Sequence, residues 1–119
     1  MEIKNILCRV YVNDIEMAIT FYENLLQTTC GIRFVYKEIN LELAQIGNLL
    51  IIAGSDEALK PFRSTSMTLR VDSITEYKDF LLKNNARIIR DITPVPTGFN
   101  MTAQHEDSTI VEYVEFTKQ

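Results

Sequence analysis

Apolar and polar residues alternate over residues 3–12: Ile6, Cys8, Val10 and Val12 fall on one side, Leu7, Arg9 and Tyr11 on the other. A period of two over that length predicts a strand with two unlike faces. The period then changes. Ile15, Ala18, Ile19, Tyr22, Leu25 and Leu26 recur on one helical face, and Asp14 stands where its carboxylate can accept from free N–H groups of the first turn. Strand patterns follow at 32–38, 41–46 and 49–53, the last two joined at Gly47–Asn48, residues that both tolerate positive φ.

Residues 54–63 read as a link with one helical turn at 57–60, stopped by Pro61. The first pattern then returns. Residues 6–26 are echoed at 65–85, so that Val10 answers Leu69, Val12 answers Val71, Ile15 answers Ile74 and Phe21 answers Phe80. Met67, Leu69 and Val71 alternate with Ser66, Thr68 and Arg70. Ser73 to Glu76 has the spacing of a capping box, with hydroxyl and carboxylate each satisfying a backbone N–H. Ile74, Tyr77, Phe80 and Leu81 form the helical stripe, ended at Asn84–Asn85. Further strands are predicted at 87–92, 99–105 and 109–116, with a stiff loop at 93–98 that carries two prolines. The order is βαβββ, link, βαβββ. One such unit cannot bury its own apolar face, whereas two related units can.

In each first strand the more apolar set, Cys8/Val10/Val12 and Met67/Leu69/Val71, should face a helix. The other sets, Leu7/Arg9/Tyr11 and Ser66/Thr68/Arg70, should face away and line a binding surface if the sheet curls. Composition narrows the partners. A chain of 119 residues with net charge −4 and no basic run does not favour nucleic acid. The longest apolar run, residues 49–53, is too short for a bilayer, and the first residues lack the charge-then-apolar pattern of a secretory signal, so no membrane partner and a cytoplasmic location are expected. Cys8 and Cys30 make no CxxC; both are expected to be reduced thiols, with Cys8 shielded inside its strand.

The run Val10-Tyr-Val-Asn-Asp14-Ile-Glu to Phe21-Tyr22, its echo Leu69-Arg-Val-Asp-Ser73-Ile, and the stretch from Thr97 through His105 and Glu112 to Glu115 resemble the vicinal oxygen chelate superfamily, which includes glyoxalase I, extradiol dioxygenases and bleomycin-resistance proteins. The resemblance spans essentially the whole chain. It implies an α+β fold in which two βαβββ modules, about 1–54 and 64–119 with linker 55–63, form a curled eight-stranded mixed sheet with helices on its outer face, usually as a homodimer. It also implies four positions for a divalent metal in a cup. Two lie on the first strands, seven residues before Asp14 and Ser73, and are occupied by Leu7 and Ser66. Two lie on the last strands: Glu112, and Ile52 or its neighbour Ile51. Leucine and isoleucine cannot coordinate a cation and a serine hydroxyl is a poor ligand, so one carboxylate remains where catalytic sites use about three protein ligands.

The reading is therefore a metal-independent protein that binds or sequesters a small organic molecule, with no cofactor, no metal ligand and no assigned catalytic residue. The alternative is a glyoxalase- or dioxygenase-like lyase, isomerase or oxidoreductase using Glu112 and a divalent metal. Candidate ligand contacts are Arg9, Tyr11, Phe34, Tyr36, Ser66, Thr68, Arg70, Phe99, Met101 and Glu112. Arg9 and Arg70 could clamp a carboxylate or phosphate, or instead neutralise Glu112 or Glu42. Glu112 is either a ligand contact or the partner of one of those arginines. The aromatic residues suit a cup wall, or equally core packing. His105 reads as a hydrogen-bonding residue at a strand end.

Overall fold

A computed structural model describes residues 1–117. Eight strands and three α-helices follow in the order β1 (Ile3–Val12), α1 (Ile15–Leu26), β2 (Arg33–Tyr36), β3 (Leu41–Ile46), β4 (Leu49–Ala53), α2 (Asp56–Leu59), β5 (Thr65–Val71), α3 (Ile74–Lys83), β6 (Arg87–Val95), β7 (Gly98–Gln104) and β8 (Ile110–Phe116). Hydrogen-bonded strand order is β2-β3-β4-β1-β5-β8-β7-β6. The pairs β1/β4 and β5/β8 are parallel, and β2/β3, β3/β4, β6/β7 and β7/β8 antiparallel. The α+β class and the mixed sheet of two βαβββ modules are those expected from the repeat. The chain divides into one compact unit of Cys8–Ser64 and another of residues 1–7 with the chain from Thr65 onward. The opening of β1 therefore belongs with the second module rather than the first.

In the unit of Cys8–Ser64, α1 is started by Asp14, whose carboxylate accepts from Met17 N at 3.1 Å. It stops at Gln27, a left-handed residue (φ 53°). Ile15, Ala18 and Ile19 pack on Ala44, Ile46, Ile51 and Ala53, with Val12 at the margin. Because α1 lies over β3 and β4, Cys8 on β1 is left exposed instead of shielded. Of the set expected beneath the helix, only Val12 joins this cluster. β2 is shorter than the pattern suggested: residues 37–39 turn into a 3₁₀ helix ended by left-handed Asn40 (φ 57°). Pro61 does not stop the link helix. It sits in the first turn of a second 3₁₀ segment, Lys60–Phe62, where a missing N–H costs nothing.

In the other unit, Ile74, Tyr77 and Leu81 of α3 cover Leu69, Val71, Met101, Ala103, Val111 and Tyr113. Half of the capping box forms: Ser73 Oγ accepts from Glu76 N at 3.4 Å. The Glu76 carboxylate lies instead 3.6 Å from the Met1 amino group. Asn85 (φ 65°) ends the helix, and Ala86 N donates back to Leu81 O at 3.0 Å. The stretch expected as a stiff loop belongs largely to β6, which runs through Pro94 to Val95. β6 is an edge strand broken by register shifts, the setting in which a residue without an N–H is tolerated.

Candidate functional site

Strand register decides which side chains share a face. On β8, Glu112 stands opposite Thr68 of β5 and Thr102 of β7, while Val114 stands opposite Arg70 and Asn100. Directly paired residues share a face, and so do residues two apart. Thr68, Arg70, Asn100, Thr102, Glu112 and Val114 therefore form one face, turned away from α3. Thr68 and Asn100 are almost fully buried there. Thr68 Oγ1 donates to Glu112 Oε1 at 3.0 Å, and Asn100 Nδ2 donates to Glu112 Oε2 at 3.1 Å. Each carboxylate oxygen of this part-buried residue thus accepts from a neutral side-chain donor.

Two polar atoms on this face have no hydrogen-bond partner among the described residues: Arg70 Nε and Asn100 Oδ1, both shielded from solvent. Leaving such a group unpaired costs about 1–3 kcal/mol. The Arg70 guanidinium lies 4.4 Å from the centre of the Phe116 ring, a cation–π stack that fixes its plane. No carboxylate pairs with it among the described residues.

Three of the residues expected here sit elsewhere. Met101 is fully buried beneath α3, because it pairs with Tyr113 and must share that side of the sheet. Phe99 pairs with Glu115 and packs against the same cluster. Ser66 falls at an irregularity between Thr65 and Met67; it is exposed, while Thr65 takes the buried place beside Ile110. Asn100 was missed, although the β7–β8 hairpin carries the signal. Its turn pairs Gln104 with Ile110, and counting outward puts Asn100 on the Glu112 side.

In the unit of Cys8–Ser64, register joins Tyr11, Ile52, Leu43 and Phe34 in one row, with Arg9 beside Leu50 and Tyr36 beside Leu41. Arg9 and Tyr11 thus lie on the face away from α1, as expected, and Phe34 and Tyr36 share it. Arg9 Nη1 donates to the Tyr11 hydroxyl at 2.9 Å, and that hydroxyl donates to Phe62 O. Arg63, a residue the pattern did not single out, places its guanidinium 5.7 Å from the Tyr11 ring centre, with Arg9 6.0 Å from the same centre. Arg63 also lies 3.9 Å from the Asp56 carboxylate. Glu42, considered as an arginine partner, lies 3.8 Å from Arg33.

The four metal positions can be tested on their own residues. Leu7 and Ile52 are buried hydrocarbon. Register shows that Ile52, not Ile51, holds the position, since Ile51 lies in the α1 core. Ser66 is displaced, and Glu112 accepts from two side-chain donors. No group of three His, Cys, Asp or Glu able to hold a metal occurs among the described residues. These residues do not fit a resident divalent cation.

His105 follows β7, and its Nε2 lies 2.7 Å from the Tyr113 hydroxyl. Burial pushes the Tyr113 phenol up to about 12, so the phenol stays protonated well above neutral pH. The pair borders a shallow depression of about 160 Å³ with Phe80, Leu81, Asn84, Ala86 and Glu106, on the α3 side of the sheet.

The solved structures similar to this chain include an uncharacterised protein from Methanosarcina mazei, 51% identical over all of this chain and 97% of that one, with a TM-score of 0.95. Methylmalonyl-CoA epimerase from Mycobacterium tuberculosis is 14% identical, over 98% of this chain and 90% of its own, with a TM-score of 0.77. Methylmalonyl-CoA epimerase is a vicinal oxygen chelate protein. The chain shares the fold of this protein. A Streptomyces coelicolor methylmalonyl-CoA epimerase in complex with 2-nitronate-propionyl-CoA, 12% identical over 98% of this chain and all of its own, again has a TM-score of 0.77. At such identities the epimerases bear on this chain through architecture alone. Neither a family model nor a curated protein sequence matches it. No helix among the described residues is long and apolar enough to cross a membrane.

Proposed function

We propose that the chain binds, and so sequesters, a small organic molecule bearing a carboxylate or similar anion, without a resident metal. The observation that carries this reading is Arg70. Its guanidinium is stacked on Phe116, and no described carboxylate neutralises it, although it lies on a mostly buried face. An arginine held in plane with an edge uncommitted is suited to planar, bidentate anion recognition. Glu112 then acts as the fixed anchor of Thr68 and Asn100 rather than as a metal ligand.

The homodimer belongs to the same reading. Met17, Phe21 and Leu25 recur every four residues on α1 and are 71%, 58% and 61% exposed, an apolar stripe suited to a second copy. Sedimentation at micromolar concentration should give twice the monomer mass; a monomer removes the dimer from the reading.

Thermal denaturation against a library of organic acids tests the binding itself. A compound at 100 times its Kd should stabilise the fold by about 2.7 kcal/mol. If no compound raises the melting temperature, the binding reading fails.

The second reading is an enzyme in which Glu112 exchanges a proton with the bound molecule. It draws on the part-buried carboxylate and on the methylmalonyl-CoA epimerases among the structural neighbours. Under this reading Glu112→Gln abolishes turnover with ligand still bound. Under the binding reading the same change alters affinity only, and stoichiometric zinc, nickel, manganese or iron in the purified protein would overturn metal independence.

A further inference from the structure

The two unpartnered atoms are opposite in kind and flank one residue. Arg70 on β5 and Asn100 on β7 are the neighbours of Val114 on either side. With strands about 4.8 Å apart, their Cα atoms are separated by roughly 10 Å, and neither atom satisfies the other across the valine. Arg70 Nε offers a donor on a cation and Asn100 Oδ1 an acceptor. The direction of that acceptor is fixed from behind. A carboxylate oxygen accepts, so the Asn100 Nδ2 group must turn toward Glu112 Oε2, and Oδ1 must turn away from it.

We infer that Asn100 is a specificity-determining residue for the molecule proposed above. Arg70 takes its anion, and Asn100 Oδ1 accepts from a hydroxyl or N–H a few bonds away on the same molecule. The ligand class is then a hydroxy- or amino-carboxylate rather than a simple acid. This inference rests on the binding reading and narrows it. Neither atom touches solvent, so the ligand reaches them only as this face opens. Its gain is two hydrogen bonds that the free protein does not make. A simple carboxylate makes only the first and leaves the Asn100 carbonyl unpaired, and an unpaired buried acceptor discriminates strongly between ligands.

The test uses the ¹⁵N-labelled chain and two matched series of probes: glycolate, 3-hydroxypropionate and 4-hydroxybutyrate against acetate, propionate and butyrate. The Arg70 Nε–H and Asn100 Nδ2 resonances are followed through each titration to high millimolar concentration. At least one hydroxy acid should move both resonances and bind tenfold or more tighter than its deoxy partner, a difference of about 1.4 kcal/mol. Asn100→Leu should erase that preference, and Arg70→Gln should erase binding of both series. The wild-type comparison stands without either variant, should one fail to fold. Equal affinity within every pair overturns the role of Asn100, and an Arg70 resonance that no probe moves overturns the site. A library compound that raises the melting temperature while both resonances stay still overturns this inference alone and leaves the binding reading intact.

Discussion

Glu115 Oε1 accepts from Ile74 N at 2.8 Å, so the last strand of the chain caps the helix that follows β5. A helix N-terminus carries free N–H groups and a partial positive charge, and a carboxylate answers both. Ser73 serves another N–H of the same turn. Glu115→Ala should therefore destabilise the fold by about 1 kcal/mol. Urea denaturation should show a lower midpoint with an unchanged slope, and Glu115→Gln should lose less.

Tyr113 gives a prediction for alkaline pH. Its phenol is neutral when protonated, and burial raises its pKa in the folded chain to about 12 from its ordinary value of 10.0. Between these values the folded state binds more protons than the unfolded state. Stability should hold below pH 10, fall as the pH rises toward 12, and lose up to about 2–3 kcal/mol in that window. Tyr113→Phe should flatten this loss while lowering stability at pH 7, because His105 Nε2 loses its partner. Chemical denaturation across the pH range reads both effects.

Met101 tests the corrected register. As a fully buried residue under α3 it should cost about 2–5 kcal/mol when replaced by Ala. Had it lined an open binding face, the same change would cost much less and would act on affinity. Equilibrium unfolding of Met101→Ala separates the two placements.

Gly98 closes the turn between β6 and β7 at φ 149°, and a Cβ there would come within 2.1 Å of Glu115 O. That contact is with backbone, so a side chain cannot rotate away from it. Gly98→Ala should destabilise by more than about 1 kcal/mol and loosen the β7–β8 pairing. Faster hydrogen exchange at the β7 amides is the expected signature.

The Asp72 carboxylate accepts from Glu2 N at 2.9 Å, and this bond holds its pKa below the usual carboxylate range. The stability it lends is present above the unfolded-state pKa and is lost as pH falls through the lower folded value. Acidification should therefore release the start of β1 before the fold as a whole. Exchange of the Glu2 amide, faster in Asp72→Asn already at neutral pH, checks it.

Local pattern determined much of this molecule. Alternation over 3–12, the helical stripes from Ile15 and Ile74, the Asp14 and Ser73 caps and the stop at Asn85 are short-range effects, set by which side chains a strand or helix turns the same way. The repeat then set the α+β class, and the alternation of the two first strands turned Arg9 and Tyr11, and Thr68 and Arg70, away from the helices. Tertiary structure decided what depends on register and on what covers a face. A one-residue irregularity in β5 moved Ser66 out of the row, and the pairing of Met101 with Tyr113 sent Met101 and Phe99 under α3. The seat of α1 on β3 and β4 left Cys8 bare. Asn100 and Arg63 became visible only through neighbours distant in sequence, because a polar residue in a strand has no role until the pairing of strands says which carboxylate, ring or open acceptor lies beside it.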